Sequence, residues 1–245
     1  MTPETTRAAD SSAIGTLNEM SLHASLKTWY TKPGDKLEVR LNGYVIDIVR
    51  GDQLIEIQTR NFSALKDKLL KLTTHFHVRL VHPIPREKWI LRIGTDGLKR
   101  IGRRKSPKRG CVEQLFSELV SFPNLAVQPN LSIEVLLTQE EVVWKDDGKG
   151  SWRRKRWSIS DHRLLKVLRS VVFTTRSDYQ KLLPPSLPRE FTTSDLKKNL
   201  GLTQRLAGQM AYCLREMGAI HKIGKRRNAY LYTINLDKES SLCGI

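Results

Sequence analysis

The sequence predicts an α/β core in the first third of the chain, followed by a basic middle region and a C-terminal α+β region. Apolar residues recur at helical spacing over residues 17–30, and short alternating runs follow over residues 37–59. A second helical pattern and a further strand occupy residues 62–81. The resulting order, αβββαβ, fits about 70 residues at ordinary element lengths.

The amino-acid composition is that of a globular chain and argues against an integral membrane protein. The 245 residues are 39% hydrophobic and 27% charged, which is typical of a globular chain. No run approaches the roughly 18 uncharged apolar residues of a membrane helix, so we expect no membrane partner. The polar N-terminus lacks a secretory signal, and the three cysteines are far apart. These features predict a cytoplasmic protein.

Charge gives the first indication of a partner. The chain has 42 Lys and Arg against 25 Asp and Glu, a net charge of +17. Residues 1–86 hold 12 basic and 9 acidic side chains, and the remaining residues hold 30 and 16. A surface this basic attracts polyanions, of which nucleic acid is the commonest. We therefore expect a nucleic-acid partner bound mainly by the later part of the chain.

Turn signals and charge divide the chain into four expected parts. These are a flexible N-terminal arm at residues 1–15, a head at 16–86, a basic middle region at 87–158 and a C-terminal domain at 159–245. In the head, a helix at 17–30 precedes strands at 37–41, 44–49 and 53–59, a helix at 62–72 and a strand at 75–81. Pro83 and Pro85 are expected to end that last strand.

The middle region is predicted to be extended and basic. A strand at 88–93 leads into a mobile basic stretch at 99–109, and a helix follows at 112–120. Residues 131–143 are expected to pair with 152–159 as a hairpin. Trp152 and Trp157 flank four basic residues and either stack on bases or form the buried face of a strand.

The C-terminal domain is predicted to be helical with a terminal hairpin. Ser160 and Asp161 are placed to cap a helix that ends at Val172. Two further helices follow at 194–200 and 203–217, and strands at 219–222 and 229–234 close the hairpin.

Three carboxylates are expected to converge at one edge of the head's sheet. Asp47 lies on the second strand and Glu56 on the third, and antiparallel pairing brings them side by side. Glu19 lies on the preceding helix. Carboxylate oxygens are suitable ligands for Mg²⁺ or Mn²⁺, and a substrate phosphate would complete the coordination of the ion. Gln58 is the candidate that orients an attacking water.

The run YVIDIVRGDQLIEIQTR, with a Glu-bearing helix before it and a helix after it, resembles the PD-(D/E)XK nuclease superfamily. The resemblance covers roughly residues 15–85 and implies a restriction-endonuclease-like αβββαβ core. It implies that Asp47 and Glu56 bind the metal and that Glu19 assists. The departure is Gln58, where the family usually has a lysine. Two alternatives remain open: a nuclease fold retained only for binding, and ordinary exposed strand carboxylates.

The run FTTSDLKKNLGLTQRLAGQMAYCLREMGAI, followed by HKIGKRRNAYLYTI, resembles a winged-helix DNA-binding domain. The resemblance implies that the second helix presents Arg205 and Gln209 to DNA and that the hairpin brings Lys225, Arg226 and Arg227 to the backbone. A winged helix used for protein contacts is the alternative.

The leading hypothesis is a Mg²⁺-dependent endonuclease that holds DNA, and structure-selective cleavage of RNA is an option that the sequence does not separate from it. Its rival is a catalytically inactive, DNA-binding or regulatory protein with a nuclease-like fold. A homodimer is one way for the enzyme to cut both strands of a duplex. A salt bridge that already occupies the acidic site would argue against hydrolysis. The further nucleic-acid-binding candidates are Arg60, Arg103, Arg104, Lys105, Arg153 and Arg154.

Overall fold

The structure is a computed structural model, and it describes residues 21–235. Its helices are α1 (21–30), α2 (Lys66–Leu72), α3 (Phe116–Leu119), α4 (Arg176–Gln180), α5 (Thr193–Leu200) and α6 (Gln204–Glu216). Its strands are β1 (Lys36–Leu41), β2 (Tyr44–Arg50), β3 (Gln53–Ile57), β4 (His77–Ile93), β5 (Arg100–Lys105), β6 (Leu131–Lys145), β7 (Ser158–Phe173), β8 (Glu190–Phe191), β9 (Ile220–Arg226) and β10 (Ala229–Ile234). Single turns of 3₁₀ helix precede α2 and α3.

A mixed sheet organises the described residues, in the strand order β1-β2-β3-β4-β6-β7. The first three strands form an antiparallel meander, and β3, β4 and β6 run parallel. The edge strand β7 returns antiparallel to β6, and β5 pairs with the second half of β4. The predicted α/β class is therefore confirmed, as a large sheet with helices packed against it.

Helices cover both faces of this sheet. On one face, Leu22 and Leu26 of α1 pack against Ile48, Ile55 and Val81. On the other face, Leu69 of α2 packs with Leu80 in a larger cluster that also includes α3. The helix α2 connects β3 to β4. Two parallel strands can be joined only by such a crossover connection. The predicted order αβββαβ is the order of the elements from α1 to β4.

β4 is longer than the sequence predicts. The two expected strands at 75–81 and 88–93 form one strand, and Pro83 and Pro85 lie inside it. Pairing with β3 ends at Val81, and pairing with β5 begins at Trp89. The prolines, which lack an N–H, fall between the β3 and β5 pairings, and on the other side of the strand the β4–β6 register shifts between Pro85 and Glu87. The expected domain boundary between residues 86 and 87 therefore falls within a strand.

The prediction of a helix over residues 160–172 is wrong, because this segment is most of β7. Its leucines and valines recur at helix-like intervals. Three register shifts in the β6–β7 ladder change which face the strand presents, so its apolar residues do not alternate. Residues 159–173, which the sequence assigns to the C-terminal domain, therefore belong to the large sheet.

The stretch at 99–109 was expected to be a mobile arm, but residues 100–105 form β5. We use the name basic arm for residues 86–110 and 138–166, which comprise β5 and the parts of β4, β6 and β7 that extend beyond β3. The basic arm contains 18 Lys and Arg against 7 Asp and Glu. Most of the protein's excess positive charge therefore lies on one extension of the sheet.

The C-terminal elements form a second, three-stranded sheet in the order β8-β10-β9, with α5 and α6 packed on it. A capping box between Thr192 and Asp195 begins α5, and Gly201 at φ 64° ends it. Met210 of α6 and Tyr232 of β10 belong to the same apolar cluster as Leu69 and Phe116. The two sheets therefore share one core.

Among residues 21–235, no helix is both long and apolar enough to cross a membrane.

Replacing Tyr179 by Ala is expected to destabilise both sheets together. The Tyr179 ring is fully buried and stacks on Phe173 of β7, with 4.7 Å between ring centroids. Loss of a buried aromatic side chain typically lowers the free energy of unfolding by about 3–5 kcal/mol. Denaturant unfolding followed by circular dichroism and tryptophan fluorescence should give one coincident, destabilised transition. Tyr212→Ala, at a 42% exposed position, is the control. Separate transitions would contradict a shared core.

Candidate active site

The candidate site lies where β2 and β3 separate. These strands pair only from Ile48 opposite Ile55 to Arg50 opposite Gln53. Asp47 and Glu56 are the next residues on each strand beyond that pairing. The Asp47 carboxylate spans the opening, because its Oδ2 accepts a hydrogen bond of 2.9 Å from the backbone N–H of Ile57. The two acids that the sequence predicts therefore flank this opening, one on each strand.

Asp47 is held by helix α1. His23 Nε2 lies 3.1 Å from Asp47 Oδ2. Burial acts to raise the pKa of Asp47, but the hydrogen bonds from His23 and Ile57 outweigh it and hold the pKa below its usual value. The hydrogen bond to Asp47 raises the pKa of His23 in turn, against the opposing effect of burial. Asp47 is therefore an ionised carboxylate at neutral pH.

Glu56 is held by helix α2. Its side chain is buried, and its Oε1 lies 2.7 Å from Lys68 Nζ. Lys68 also donates a 2.6 Å hydrogen bond to the carbonyl of Val45, which fixes the ammonium between β2 and β3. Burial raises the pKa of Glu56 to about 7, although the Lys68 ammonium acts to lower it. The negative charge of Asp47 adds to the rise.

Gln58, which the sequence also predicts to be catalytic, does not join this group. The amide nitrogen of Gln58 donates to the carbonyl of Arg60, so the side chain is folded back on its own strand end. Glu19 lies outside the described residues. The cation beside Glu56 is instead Lys68 of α2. The sequence signal was a lysine on the helix after the E-x-Q motif, but several lysines share that helix.

A polar cleft adjoins the end of β3. It has a volume of about 390 Å³ and is lined by Thr59, His82, Glu118, Arg205 and Gln209, among others. Burial lowers the pKa of His82, so its ring is neutral. His82 Nδ1 lies 2.7 Å from the Gln58 carbonyl and must donate to it. The cleft places two predicted nucleic-acid contacts of α6 beside the end of the strand that carries Glu56.

The predicted contacts on the basic arm have different surroundings. The guanidinium of Arg103 lies 2.7 Å from Glu141 and 4.0 Å from the Trp89 ring centroid. Lys105 pairs with Glu87 at 2.6 Å. Arg104 and Arg153 are exposed, and the described side chains do not include that of Arg154. The arm therefore combines exposed cations with cations that also bind its own carboxylates.

The remaining predicted contacts lie at the acidic site and on the C-terminal hairpin. Arg60 is exposed just beyond the end of β3. Lys225, Arg226 and Arg227 are exposed at the β9–β10 turn. Arg226 lies 3.7 Å from Asp195 of α5, so one cation of the turn is tied to the helix pair.

Two carboxylates are the metal ligands that the described residues offer here. Within residues 21–235, no three His, Cys, Asp or Glu side chains group closely enough to hold a metal. Mg²⁺ is commonly bound by one or two carboxylates, waters and substrate phosphates, so Asp47 and Glu56 fit such an ion.

Glu56→Gln is expected to change how stability depends on pH. The folded state binds the Glu56 proton more tightly than the unfolded chain, whose ordinary pKa is 4.5. This contribution to stability is complete below pH 4.5 and is lost as the pH rises through about 7. Relative to the variant, the wild-type protein should lose roughly 3 kcal/mol between those limits. Urea unfolding across this pH range measures the difference, with Asp52→Asn at the exposed β2–β3 turn as control. Parallel pH curves would refute the assignment.

Comparisons with known proteins agree with the extent of the large sheet. A family model described as a domain of unknown function (DUF8091) matches residues 20–174, which run from α1 to just past β7. An uncharacterized protein of Treponema pallidum (strain Nichols) is 33% identical over 221 residues, covering 89% of this chain and 86% of that protein. No solved structure matches the chain. The chain belongs to the family of the domain of unknown function DUF8091.

Proposed function

We propose that this protein is a metal-dependent nuclease that hydrolyses phosphodiester bonds in DNA. One observation carries the proposal: Asp47 and Glu56 are the first residues beyond the point where β2 and β3 separate, and Lys68 pairs with Glu56 there. Two carboxylates and a lysine at the opening of an αβββαβ sheet are the groups that the resemblance to PD-(D/E)XK nucleases implies. The basic arm begins at the same edge of the sheet, where β4 passes the end of β3.

Lys68 supplies the positive charge that the E-x-Q motif lacks. A neutral glutamine cannot offset the negative charge that develops on a phosphate during hydrolysis, whereas a fixed ammonium can. Lys68 reaches the site from α2 and is held there by the Val45 carbonyl. In this role it replaces the lysine expected at position 58. Gln58 is then free of a catalytic requirement, in agreement with its hydrogen bond to Arg60.

Asp47 and Glu56 would hold the Mg²⁺ ion, which when bound would polarise the phosphate and lower the pKa of a bound water. The chain's own residues prepare the site for it. His23 and Ile57 keep the Asp47 carboxylate ionised and oriented. Lys68 remains beside Glu56 to attract the scissile phosphate.

Three surfaces would bind the nucleic acid around this site. The exposed cations of the basic arm follow phosphates along the sheet, and Arg205 and Gln209 approach from α6 across the polar cleft. The C-terminal helix pair and hairpin resemble a winged helix, whose turn would bring Arg226 and Arg227 to the backbone.

A second candidate function is a catalytically inactive DNA-binding protein with the same fold. The existing contacts favour it, since both acids already have a side-chain partner: His23 at 3.1 Å from Asp47 and the Lys68 ammonium at 2.7 Å from Glu56. Cleavage assays separate the two candidates, because both predict DNA binding and only one predicts hydrolysis.

Lys68→Met is expected to abolish most cleavage of a supercoiled plasmid or linear duplex in the presence of Mg²⁺ or Mn²⁺. Removing a preorganised charge from a catalytic site typically lowers the rate by about 100- to 1000-fold. Asp47→Asn should have at least the same effect. Lys66→Met, on an exposed position of the same helix, is the matched control and should retain full activity.

A second substitution tests whether Lys68 takes the role of the lysine in an E-x-K motif. Gln58→Lys in the Lys68→Met background restores an E-x-K motif and should recover part of the lost rate. Wild-type protein that binds but cleaves no nucleic acid would support the inactive candidate. Cleavage that survives Asp47→Asn would exclude this site as the catalytic centre.

Neutralising Arg100 and Arg104 to Gln is expected to reduce the salt dependence of DNA binding. Each lost phosphate contact lowers the slope of log K against log salt by about 0.9. Fluorescence anisotropy with a labelled duplex in EDTA measures the slope, and Arg226→Gln with Arg227→Gln tests the hairpin in the same way. Lys36→Gln with Arg40→Gln, on the opposite edge of the sheet at β1, is the control. An unchanged slope in the arm variant would show that the arm does not follow phosphates.

A further inference from the structure

Two apolar side chains are exposed at the far end of the basic arm. The β6–β7 turn carries Trp152, which is 80% exposed, and the neighbouring β4–β5 turn carries Leu98, which is 88% exposed. The turns adjoin because Ile93 of β4 pairs with Lys145 of β6. Large apolar side chains left this open at a protruding end are a feature of interaction sites.

The two tryptophans that the sequence could not distinguish have different surroundings. Trp157 is half-buried, and the Arg92 guanidinium lies 5.3 Å from its ring centroid and 6.0 Å from that of Trp144. Trp157 therefore stabilises the arm. For Trp152, the contact that the structure gives is with its neighbour Arg153, at 5.8 Å. Its ring is available to a partner.

The turn that carries Trp152 is ordered by its backbone. The N–H of Lys155 donates to the carbonyl of Trp152, and that of Gly150 donates to Arg156. Lys155 and Arg156 both adopt positive φ, at 52° and 65°. A side chain at Gly150 would collide with the Trp157 carbonyl, 1.8 Å from the position of its Cβ. This geometry presents Trp152 at the tip without a loss of loop entropy on binding.

The charges around the tip select the partner. Lys99, Arg100, Lys149, Arg153, Lys155 and Arg156 are all exposed around it. Basic and apolar tips suit both nucleic acid and anionic membranes. Here the cations continue down the arm to Lys108 and Arg109, near its base, where a membrane touching only the tip would not reach. A nucleic acid lying along the arm would contact all of them.

We propose that Trp152, with Leu98 on the neighbouring turn, inserts between the bases of DNA bound along the basic arm and selects duplexes whose base stack opens easily. Along β4, residues 81–93 connect the acidic site to the tip. At the rise of a strand this is at most about 40 Å, or roughly one turn of duplex. Apolar wedges that unstack a base step are favoured where the step is already weakened. The inference rests on the nucleic-acid binding of the proposed function and not on its catalysis.

The test measures affinity in EDTA for two labelled duplexes, one fully paired and one with a central two-base mismatch that carries 2-aminopurine. Wild-type protein should prefer the mismatched duplex and raise the 2-aminopurine fluorescence. Trp152→Ala should weaken binding to the mismatched duplex by roughly 10- to 100-fold, the size of a lost stacking contact, and leave the salt slope unchanged. Trp152→Phe should retain most of the affinity.

Matched controls are Trp29→Ala and Leu37→Ala, at positions that are 50% and 49% exposed away from the arm. The inference is overturned if Trp152→Ala binds both duplexes like Trp29→Ala, or if wild-type protein binds neither duplex. It is also overturned if Trp152→Ala affects only cosedimentation with phosphatidylserine vesicles, which would indicate a membrane partner. Since EDTA prevents cleavage, these outcomes are independent of whether Asp47→Asn abolishes hydrolysis.

Discussion

The separation of β2 from β3 at Asp47 and Glu56 is the constraint on which the account depends. Adjacent strands normally hide their backbone groups in a continuous ladder. Here the ladder stops, and the Asp47 carboxylate takes the N–H of Ile57 that β2 would otherwise satisfy. The opening also admits Lys68 to the carbonyl of Val45. Asp47 on one strand and the Glu56–Lys68 pair on the other therefore flank an opening that a regular sheet would close.

The same sheet connects this opening to the rest of the molecule. β4 leaves the end of β3 and continues into the basic arm, so the acidic site and most of the excess positive charge lie on one continuous strand system. The shared apolar core fixes α6 near the same edge. Under the proposed function, the arm would guide a polyanion to the carboxylates, which alone would repel it.

Much of the head could be predicted from its sequence, because short alternating strands and the Asn42-Gly43 turn are strong local signals. The sequence wrongly predicts a helix for the residues of β7, because register shifts replace the alternation of a strand with helix-like spacing. Pairings between distant segments, such as β4 with β6, also leave no local signal. At the site, Asp47 and Glu56 could be found from their strands. Lys68 could not be singled out, since its role depends on how α2 packs across the sheet.

The most direct test of the central claim is metal binding at the strand opening. Titration of Mn²⁺ in the presence of a non-hydrolysable duplex, followed by the electron paramagnetic resonance signal of free Mn²⁺, counts the bound ions. The account predicts a bound Mn²⁺ that is lost in both Asp47→Asn and Glu56→Gln and is retained in Lys66→Met. Wild-type protein that binds the duplex but takes up no Mn²⁺, or uptake that is unaffected by both acidic substitutions, would contradict it.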